Sequence, residues 1–220
     1  MAPVCISGTE GYAEQAEALV GRYDGLSFAH VHKDVLHLIP RRSSRVLDIG
    51  AGTGRDAAAL AAMGHRVVAV EPVVEFRISA AALHPSPQIE WLDDHLPELA
   101  HLSRRGDRFG LILLSAVWMH LDQDQRRQAM PRVASRLLEG GILVLSLRHG
   151  PVPPDRRMFD VSAEETIQLA SLEDLRLELR LDNQPPALPM AGVNWTRLAF
   201  SKAQRTPEPS EAPCVPTRED

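Results

Sequence analysis

The chain is poor in cysteine and has no long apolar run. Its 220 residues contain two cysteines, Cys5 and Cys214, which lie near opposite ends and in no metal-type or CxxC spacing. This pattern argues against a disulfide framework and fits a reducing compartment, so we expect a cytoplasmic protein. No apolar stretch approaches membrane-spanning length, and we find no basic stretch followed by an apolar run that would mark a secretory signal. We therefore expect no association with a membrane.

An excess of positive charge is also missing. Lysine and arginine together number 24 against 29 aspartates and glutamates, which gives a net charge of −5. This balance provides no general attraction to nucleic acid or to an anionic membrane. With 44% hydrophobic and 24% charged residues, the composition is that of an ordinary globular protein, and the length fits one domain with appendages.

The chain does contain a regular alternation of short β-rich runs and helical segments. Such alternation predicts parallel strands joined by helical crossovers, and hence an α/β doubly wound, mostly parallel sheet. Most of the strands are apolar almost throughout, as expected when helices cover both faces. We predict strands over 45–49, 66–70, 89–92, 111–115 and 141–147, and helices over 55–63, 73–83, 95–103 and 122–138.

After residue 150 the alternation breaks. The proline-rich segment 151–154 leads to a predicted helix near 162–170. Leucine then alternates with charged residues over 175–181, which is typical of an outer strand with one face in water. A last strand is predicted over 194–200. The tail from about 203 is polar and rich in proline, and we expect it to be disordered.

The most informative segment is Val46-Leu47-Asp48-Ile49-Gly50-Ala51-Gly52-Thr53-Gly54-Arg55-Asp56. A short apolar run ends in an acid, three glycines follow at alternate positions, and an alanine-rich segment comes next. This order predicts a buried strand, a tight loop and a helix whose free N–H groups point at the loop. Glycine permits positive φ and lets a ligand approach the backbone. The segment therefore predicts a binding site for a nucleotide-type cofactor.

The spacing around this loop distinguishes between cofactors. A dinucleotide site needs GxGxxG, whereas this loop reads GxGxG, and Asp48 would lie beside the pyrophosphate. Glu71 ends the next strand, where a carboxylate accepts hydrogen bonds from ribose hydroxyls. Asp93 and Asp94 follow the third strand, within reach of an adenine amino group, although helix capping or surface solvation is the competing interpretation. These acids together describe an adenosine with a cationic amino-acid tail, which is S-adenosylmethionine (SAM).

These motifs resemble those of the class I SAM-dependent methyltransferases over roughly residues 40–148. Residues 109–121 resemble the family's motif on the fourth strand, and 138–143 its glycine turn into the fifth. The resemblance implies a seven-stranded Rossmann-like sheet of order 3-2-1-4-5-7-6, with SAM as cofactor and S-adenosylhomocysteine (SAH) as product. It implies the following cofactor-binding residues: Asp48, Gly50, Ala51, Gly52, Thr53, Gly54, Arg55, Asp56, Glu71, Pro72, Asp93, Asp94, Ser115 and Ala116.

Candidates for the acceptor side lie at the ends of the fourth and fifth strands. His120 is the candidate base or substrate-orienting group, because its near-neutral pKa suits proton transfer; a structural histidine is the alternative. Trp118 is a candidate pocket wall or a core residue. Arg148 and His149 are candidates for substrate binding, the arginine as a clamp for a carboxylate or phosphate, and a solvated basic loop is the alternative.

Before the alternation we predict two short helices over 9–22 and 27–39 with a turn at Asp24-Gly25. In related enzymes such helices form a lid, and Tyr23 and Phe28 are its candidates for substrate contact. The spacing of the nearby histidines gives no good ligand pair, so we expect no metal site. The chain is accordingly divided into an N-terminal helical lid over 1–40, a SAM-binding methyltransferase domain over 41–202 and a disordered tail over 203–220.

The acceptor is predicted to be a small molecule methylated on oxygen or nitrogen. Methyltransferases that act on amino groups of nucleic-acid bases often carry an Asn/Asp-Pro-Pro-Tyr motif, whereas residues 115–118 read Ser-Ala-Val-Trp. No basic stripe is present either, so we expect no nucleic-acid partner. The alternatives left open are a protein or peptide methyltransferase, a nicotinamide-dependent oxidoreductase, and a SAM-binding protein without turnover. The sequence does not predict an oligomeric state.

Overall fold

A computed structural model describes residues 6–23 and 25–204. Its centre is a seven-stranded sheet in the predicted order, β3-β2-β1-β4-β5-β7-β6. Strands β1 to β5 are parallel to one another, and β7 lies antiparallel between β5 and β6. The strands are β1 Arg45–Ile49, β2 Arg66–Val70, β3 Ile89–Leu92, β4 Phe109–Leu114, β5 Leu137–His149, β6 Leu175–Gln184 and β7 Asn194–Lys202.

Helices cover the two faces of this sheet. They are α1 Ala16–Tyr23, α2 Phe28–Val31, α3 Arg55–Ala62, α4 Val74–Leu83, α5 Ala100–Arg105, α6 Gln123–Ser135 and α7 Ala163–Ser171, with 3-10 turns over Leu36–Leu38 and Trp118–His120. Among the described residues, no helix combines the length and the apolar character that crossing a membrane requires.

The alternation of side chains along the strands divides the core into two layers. From β1, Leu47 and Ile49 join a cluster that includes Met130 and Val133 of α6. Val46 faces the other way and joins a cluster that includes Leu60 of α3. Because successive side chains of a strand point to opposite faces, an apolar strand can be buried on both sides only if helices cover both. The predicted doubly wound architecture is confirmed.

The N-terminal part is less helical than predicted. Residues 9–15 form turns, and helix α1 starts only at Ala16. Gly11 has a φ of +72°, outside the range of a right-handed helix, so the helix cannot extend back through it. The predicted second helix divides into the four-residue α2 and the 3-10 turn. Asp24 of the predicted turn lies outside the described residues, as does the predicted disorder of 205–220.

A third, small apolar cluster joins the N-terminal part to the rest of the molecule. Ala16 and Leu19 of α1 pack against Val73 and Phe76 at the start of α4, with Tyr12 beside them. This cluster is separate from the two layers of the sheet. Helix α1 is therefore held in place by apolar contacts that the sheet does not share, whereas Phe28 and Val35, which follow it, belong to a layer of the main core.

The crossover between β3 and β4 also differs from the prediction. A helix was predicted over 95–103, but α5 occupies Ala100–Arg105. Pro97 disfavours helical backbone at Leu96, and Leu99 has a φ of +46°, so the helix begins after these residues.

Strand β6 forms one edge of the sheet, as its alternation of leucine and charged residues predicts. Ion pairs link charged side chains two residues apart along it: Arg176 with Glu178 at 2.7 Å and Arg180 with Asp182 at 2.8 Å. Charged side chains of this kind oppose edge-to-edge pairing with another chain.

Candidate active site

The carboxyl ends of β1, β2, β4 and β5 open onto one cavity of about 440 Å³. Strand order reverses between β1 and β4, and open α/β sheets bind ligands at such a point. The N-terminal part covers the cavity, and the connection between β6 and β7 forms a further wall. Of the predicted site residues, these line it: Tyr23, Asp48, Gly50, Ala51, Gly52, Thr53, Arg55, Asp56, Glu71, Pro72, Ser115, Ala116, His120 and Arg148.

The glycine loop needs glycine for two reasons: its backbone has positive φ, and it packs closely against a neighbouring residue. Gly50 and Gly52 both have positive φ, +70° and +54°. A Cβ atom on Gly50 would lie 2.5 Å from Cγ2 of Val117, so the bare backbone lets the end of β4 pack closely. A Cβ on Gly52 would meet only the carbonyl of Gly50, at 4.0 Å. The loop therefore leaves free space beside Gly52, on the wall of the cavity.

Glu71 holds this loop from the end of β2. Its Oε2 accepts a hydrogen bond from the backbone N–H of Gly52 at 2.7 Å, and its Oε1 accepts one from Val73 at 2.9 Å. Burial raises the pKa of Glu71 to about 7, although both backbone hydrogen bonds oppose the rise. Each carboxylate oxygen accepts more than one hydrogen bond, so both retain capacity for ligand hydroxyls.

Two further carboxylates lie side by side at the start of α3. Asp56 accepts hydrogen bonds from His32 Nε2 at 2.8 Å and from Arg55 Nε at 2.7 Å. Burial alone would raise the pKa of Asp56, but these two partners hold it well below its usual range. Burial and the neighbouring Asp56 charge instead hold the pKa of Asp48 well above its usual range. The Oδ2 atom of Asp48 is buried and has no partner among the described residues, an arrangement that suits an incoming ammonium group.

At the end of β4 the backbone turns sharply. Ala116 has a φ of +60°, an uncommon conformation for a residue with a Cβ, and its N–H donates to Ser146 Oγ at 2.9 Å. Backbone strain of this kind clusters at functional sites, where surrounding contacts hold it. The turn brings the following residues, including His120, back to the cavity.

His120 is held in one tautomer by its two neighbours. Its Nδ1 lies 2.8 Å from the carbonyl oxygen of Arg157, so this nitrogen carries the proton. Its Nε2 therefore accepts the hydroxyl of Tyr12, at 3.0 Å. Burial lowers the pKa of His120, and the charges of Arg156 and Arg148 lower it further. Burial raises the pKa of Tyr12 to about 12. The pair is thus a neutral imidazole with a neutral phenol.

Arg156 connects the loop after β5 to the N-terminal part. Its guanidinium lies 3.9 Å from the centre of the Tyr12 ring, a cation–π distance. It also donates to the side chain of Gln15 at 2.8 Å and to the carbonyl of Glu10 at 3.3 Å. The wall next to His120 is therefore built from two distant parts of the sequence.

The structure does not bring Asp93 and Asp94 to the cavity. Asp93 is largely exposed and pairs with Arg77 at 2.7 Å. Asp94 is buried, and its two oxygens accept the N–H groups of Leu102 at 2.8 Å and His95 at 3.0 Å. Their positions give no support to a contact with adenine, and Asp94 has the capping role that was the competing interpretation.

Four other predicted site residues also lie outside the cavity lining. Phe28 and Trp118 are buried in the two core layers. His149 Nε2 bonds to Thr196 Oγ1 at 2.9 Å. Gly54 has a φ of +80° and starts α3. Core packing, one of the two interpretations offered for Trp118, describes its environment.

Several lining residues were not predicted. They include Tyr12, Ser146, Trp195 and Arg197. Arg197 had a signal in the sequence, because it is the one charged residue in the predicted strand 194–200. Tyr12 had none, because its place depends on how the N-terminal part docks. Among the described residues, no three His, Cys, Asp or Glu side chains are arranged to hold a metal ion.

Comparison with known proteins gives a family match for the centre of the chain. Residues 46–141 match a family model described as a methyltransferase domain. No curated protein matches the chain.

Solved structures match over most of the chain. The N-methyltransferase NodS from Bradyrhizobium japonicum, in complex with SAH, has a TM-score of 0.68 at 20% identity and covers 89% of this chain and 100% of its own. A TehB-like SAM-dependent methyltransferase from Corynebacterium glutamicum has a TM-score of 0.65 at 20% identity, covering 86% and 98%. The Burkholderia thailandensis 1,6-didemethyltoxoflavin-N1-methyltransferase, with 1,6-didemethyltoxoflavin and SAH bound, has a TM-score of 0.63 at 22% identity, covering 93% of each chain.

At these identities the structural likeness establishes a shared fold, and the family match shows that residues 46–141 are similar to a methyltransferase domain. The nicotinamide alternative gains no support from either. The matched domain and the seven-stranded sheet order agree with the resemblance found in the motifs. The chain therefore shares its fold with these SAM-dependent methyltransferases, and its residues 46–141 are similar to a methyltransferase domain.

Proposed function

We propose that the protein transfers a methyl group from SAM to an oxygen or nitrogen atom of a small-molecule acceptor. The observation that carries this proposal is the continuity of the cavity, which is lined by Asp48 and Glu71 on one side and by His120 and Arg148 on the other. A cofactor on the first side and an acceptor on the second would meet in one continuous space. In-line displacement requires this alignment and this exclusion of water.

In this proposal the acidic side holds the cofactor. Asp48 accepts hydrogen bonds from the ammonium group of SAM, and its unpaired buried Oδ2 supports this role. Glu71 accepts hydrogen bonds from the ribose hydroxyls, since its oxygens keep acceptor capacity beyond the two backbone N–H groups they already bind. The open space beside Gly52 supports a close approach of the ligand to the loop.

His120 accepts the proton that the substrate loses in this proposal. SAM supplies a methyl carbon activated by its sulfonium sulfur and leaves as SAH. The acceptor oxygen or nitrogen forms the new bond to carbon and gives up a proton. His120 Nε2 accepts this proton once the Tyr12 hydroxyl has moved from it, because the Arg157 carbonyl already fixes the proton on Nδ1.

The cavity volume of about 440 Å³ supports a small acceptor. The N-terminal part, including Tyr23, acts as a lid in this proposal, which keeps the division into a lid over 1–40 and a SAM-binding domain over 41–202. The Burkholderia thailandensis enzyme, whose structure holds 1,6-didemethyltoxoflavin and SAH, supports a small molecule as acceptor. The net charge of −5 supports the absence of a nucleic-acid partner.

The proposal is tested in two steps. Calorimetric titration of the full chain with SAM, SAH and NADH is expected to show binding of the first two and none of NADH. Isotopically labelled SAM is then incubated with the protein and a metabolite extract, and the label is expected in a compound of low molecular mass. Label in polypeptides would favour the peptide alternative. Binding of SAH without any labelled product would contradict the proposed transfer.

A further inference from the structure

We propose that the acceptor carries an oxyanion, a carboxylate or a phosphate, and that Arg148 and Arg197 bind it. This inference rests on the proposed function, because it names the chemical class of the molecule that occupies the acceptor side. Arg148 lies near the end of β5 and Arg197 in β7, and both line the cavity.

The register of the sheet brings the two arginines together. Arg197 pairs with Ser146 of β5, and Arg148 pairs with Trp195 of β7. Paired residues share a face, and so do residues two apart in a strand, so this register assigns Arg148 and Arg197 to one face of the sheet. Diagonal neighbours of this kind are separated by roughly 7–8 Å. Two long guanidinium side chains at that separation can reach the same anionic group.

Neither arginine has a carboxylate partner among the described residues. Arg148 is buried and donates to the carbonyls of Gly150 at 3.5 Å and Pro151 at 2.8 Å. The side chain of Arg197 makes no hydrogen bond or ion pair within the part of the chain that the structure describes, and its Nε is buried. Asp34 and Asp56 act on Arg197 only from beyond ion-pair distance.

Burial disfavours both of these charges. It lowers the pKa of Arg148 and that of Arg197. Charged groups removed from water are normally paired, and arginine favours bidentate binding of carboxylate and phosphate. Two neighbouring guanidinium groups without an acid therefore form a site that is completed by an anion from outside the chain.

Charges of both signs line the cavity. Asp48, Asp56 and Glu71 lie around the glycine loop together with Arg55, while Arg148 and Arg156 lower the pKa of His120 at the end of β4. An anionic acceptor is thus attracted by the arginines on the side of His120. The walls near the arginines include apolar residues of the β6–β7 connection and of β7: Leu188, Met190 and Trp195. These residues suit an acceptor with an apolar body and one anionic group.

The test measures ligand binding to the SAH-saturated protein by calorimetry. The probes are a panel of aromatic and aliphatic carboxylates and phosphate monoesters, each paired with its neutral amide or ester. Where a probe pair binds, we expect the anionic probe to bind at least about tenfold more tightly than its neutral amide or ester. Arg148→Gln and Arg197→Gln should each weaken the anion at least about tenfold and leave its neutral partner unchanged. Arg176→Gln, an exposed arginine of β6, is the matched control and should change nothing.

Further variants distinguish loss of the anion site from loss of the fold. Arg148→Lys and Arg197→Lys keep the charge, so a part of the anion preference should survive in them even where a glutamine variant folds poorly. Binding that ignores the charge of the probes, or full affinity for anions in both glutamine variants, would overturn the inference. A third outcome would also overturn the inference: Arg197→Gln binds SAH more weakly but binds 5′-methylthioadenosine, which lacks the amino-acid tail, as before. Arg197 would then contact the cofactor. If the unmodified protein binds no SAH, the proposed function itself fails.

Discussion

At the scale of single residues, Glu71 connects the loop and the cavity through one carboxylate. Its pKa of about 7 means that much of the ligand-free protein carries a neutral Glu71 near neutral pH. The reference value is 4.5, so the folded chain binds more protons than the unfolded chain between these values. The contribution of Glu71 to the stability of the ligand-free protein therefore falls as the pH rises from 4.5 to 7.

The first prediction concerns the pH dependence of SAH binding. Ribose hydroxyls that donate to Glu71 stabilise its ionised form, so binding should release a proton below pH 7. Affinity for SAH should then rise with pH up to about 7, by at most about tenfold per pH unit for each proton released, and level off above. Glu71→Gln should reduce this slope, and Asp48, whose pKa is also raised, should keep the remainder.

The measurement is calorimetry of SAH binding in two buffers of different ionisation enthalpy, which counts the protons released. Glu75→Gln is the matched control, because Glu75 is exposed in the first turn of α4 and lies outside the cavity lining. An unchanged slope in Glu71→Gln would show that this carboxylate does not contact the cofactor.

A second prediction concerns His120 and Tyr12. With an acceptor that must lose a proton, His120→Gln should lower kcat by about 10²–10⁴-fold. Tyr12→Phe removes the hydroxyl that has to leave Nε2, so it should lower kcat by much less. Because the pKa of His120 lies below its ordinary value, kcat should stay flat at and above pH 7 and fall at acid pH. The pH–rate profile of the two variants checks this, with the exposed His101→Gln as control. The same acid fall in His120→Gln would contradict the assignment.

Sequence and structure agree best where the signal is local. The roles predicted for Asp48 and Glu71 depend on a short motif and on strand ends, and both residues line the cavity. Asp94 follows a strand equally well, but spacing alone does not distinguish a ligand contact from the cap that it provides. Tyr12 was not predicted, because its contact with His120 joins residues 108 positions apart.

At the scale of elements, α6 has the most explicit start. The Asp122 side chain accepts the N–H of Gln125, and the Gln125 side chain accepts the N–H of Asp122, both at 2.9 Å. Such a capping box satisfies two N–H groups that the helix leaves without partners. Buried Arg126 then donates to Glu165 of α7 at 2.8 Å, so the same helix end connects two helices.

The prediction at this scale is that Asp122→Ala destabilises the protein by about 1 kcal/mol. For a chain of this size the melting temperature should fall by roughly 2–4 °C. Asp124→Ala is the matched control, because Asp124 is exposed in the same first turn and pairs only with exposed Arg127. Thermal unfolding followed by circular dichroism measures both variants. An equal loss in both would show that helix charge, and not the cap, sets the effect.

Strands were easier to predict than helices for a physical reason. An apolar run such as β2 has to be buried wherever it lies, and its predicted bounds match the structure. The first predicted helices depended on the spacing of apolar residues alone. Gly11, with its positive φ, interrupts the first predicted helix. In the second, His32 bonds to Asp56 of α3, a contact with a distant part of the sequence that the spacing of apolar residues does not reveal.

At the scale of the whole molecule, the sheet order followed from the resemblance of the motifs and not from any single strand. The alternation of elements predicts parallel strands, but it leaves the position of the last two strands open. Their antiparallel placement depends on pairing between residues about fifty positions apart, as between Ser146 and Arg197. The same pairing brings Arg197 to the side of the cavity that we propose for the acceptor, so Arg197 was not predicted there, although Arg148 was.

The small apolar cluster that joins α1 to α4 has a consequence for turnover. Ala16 and Leu19 pack on Val73 and Phe76, whereas Phe28 and Val35, later in the N-terminal part, belong to a main layer of the core. The proposed lid would therefore open at the segment that ends with Tyr23. Such an opening would separate Tyr12 from His120 and from Arg156, and it would leave every strand pairing intact. Substitutions in this small cluster could then change the rate of reactant exchange with little effect on the stability of the sheet.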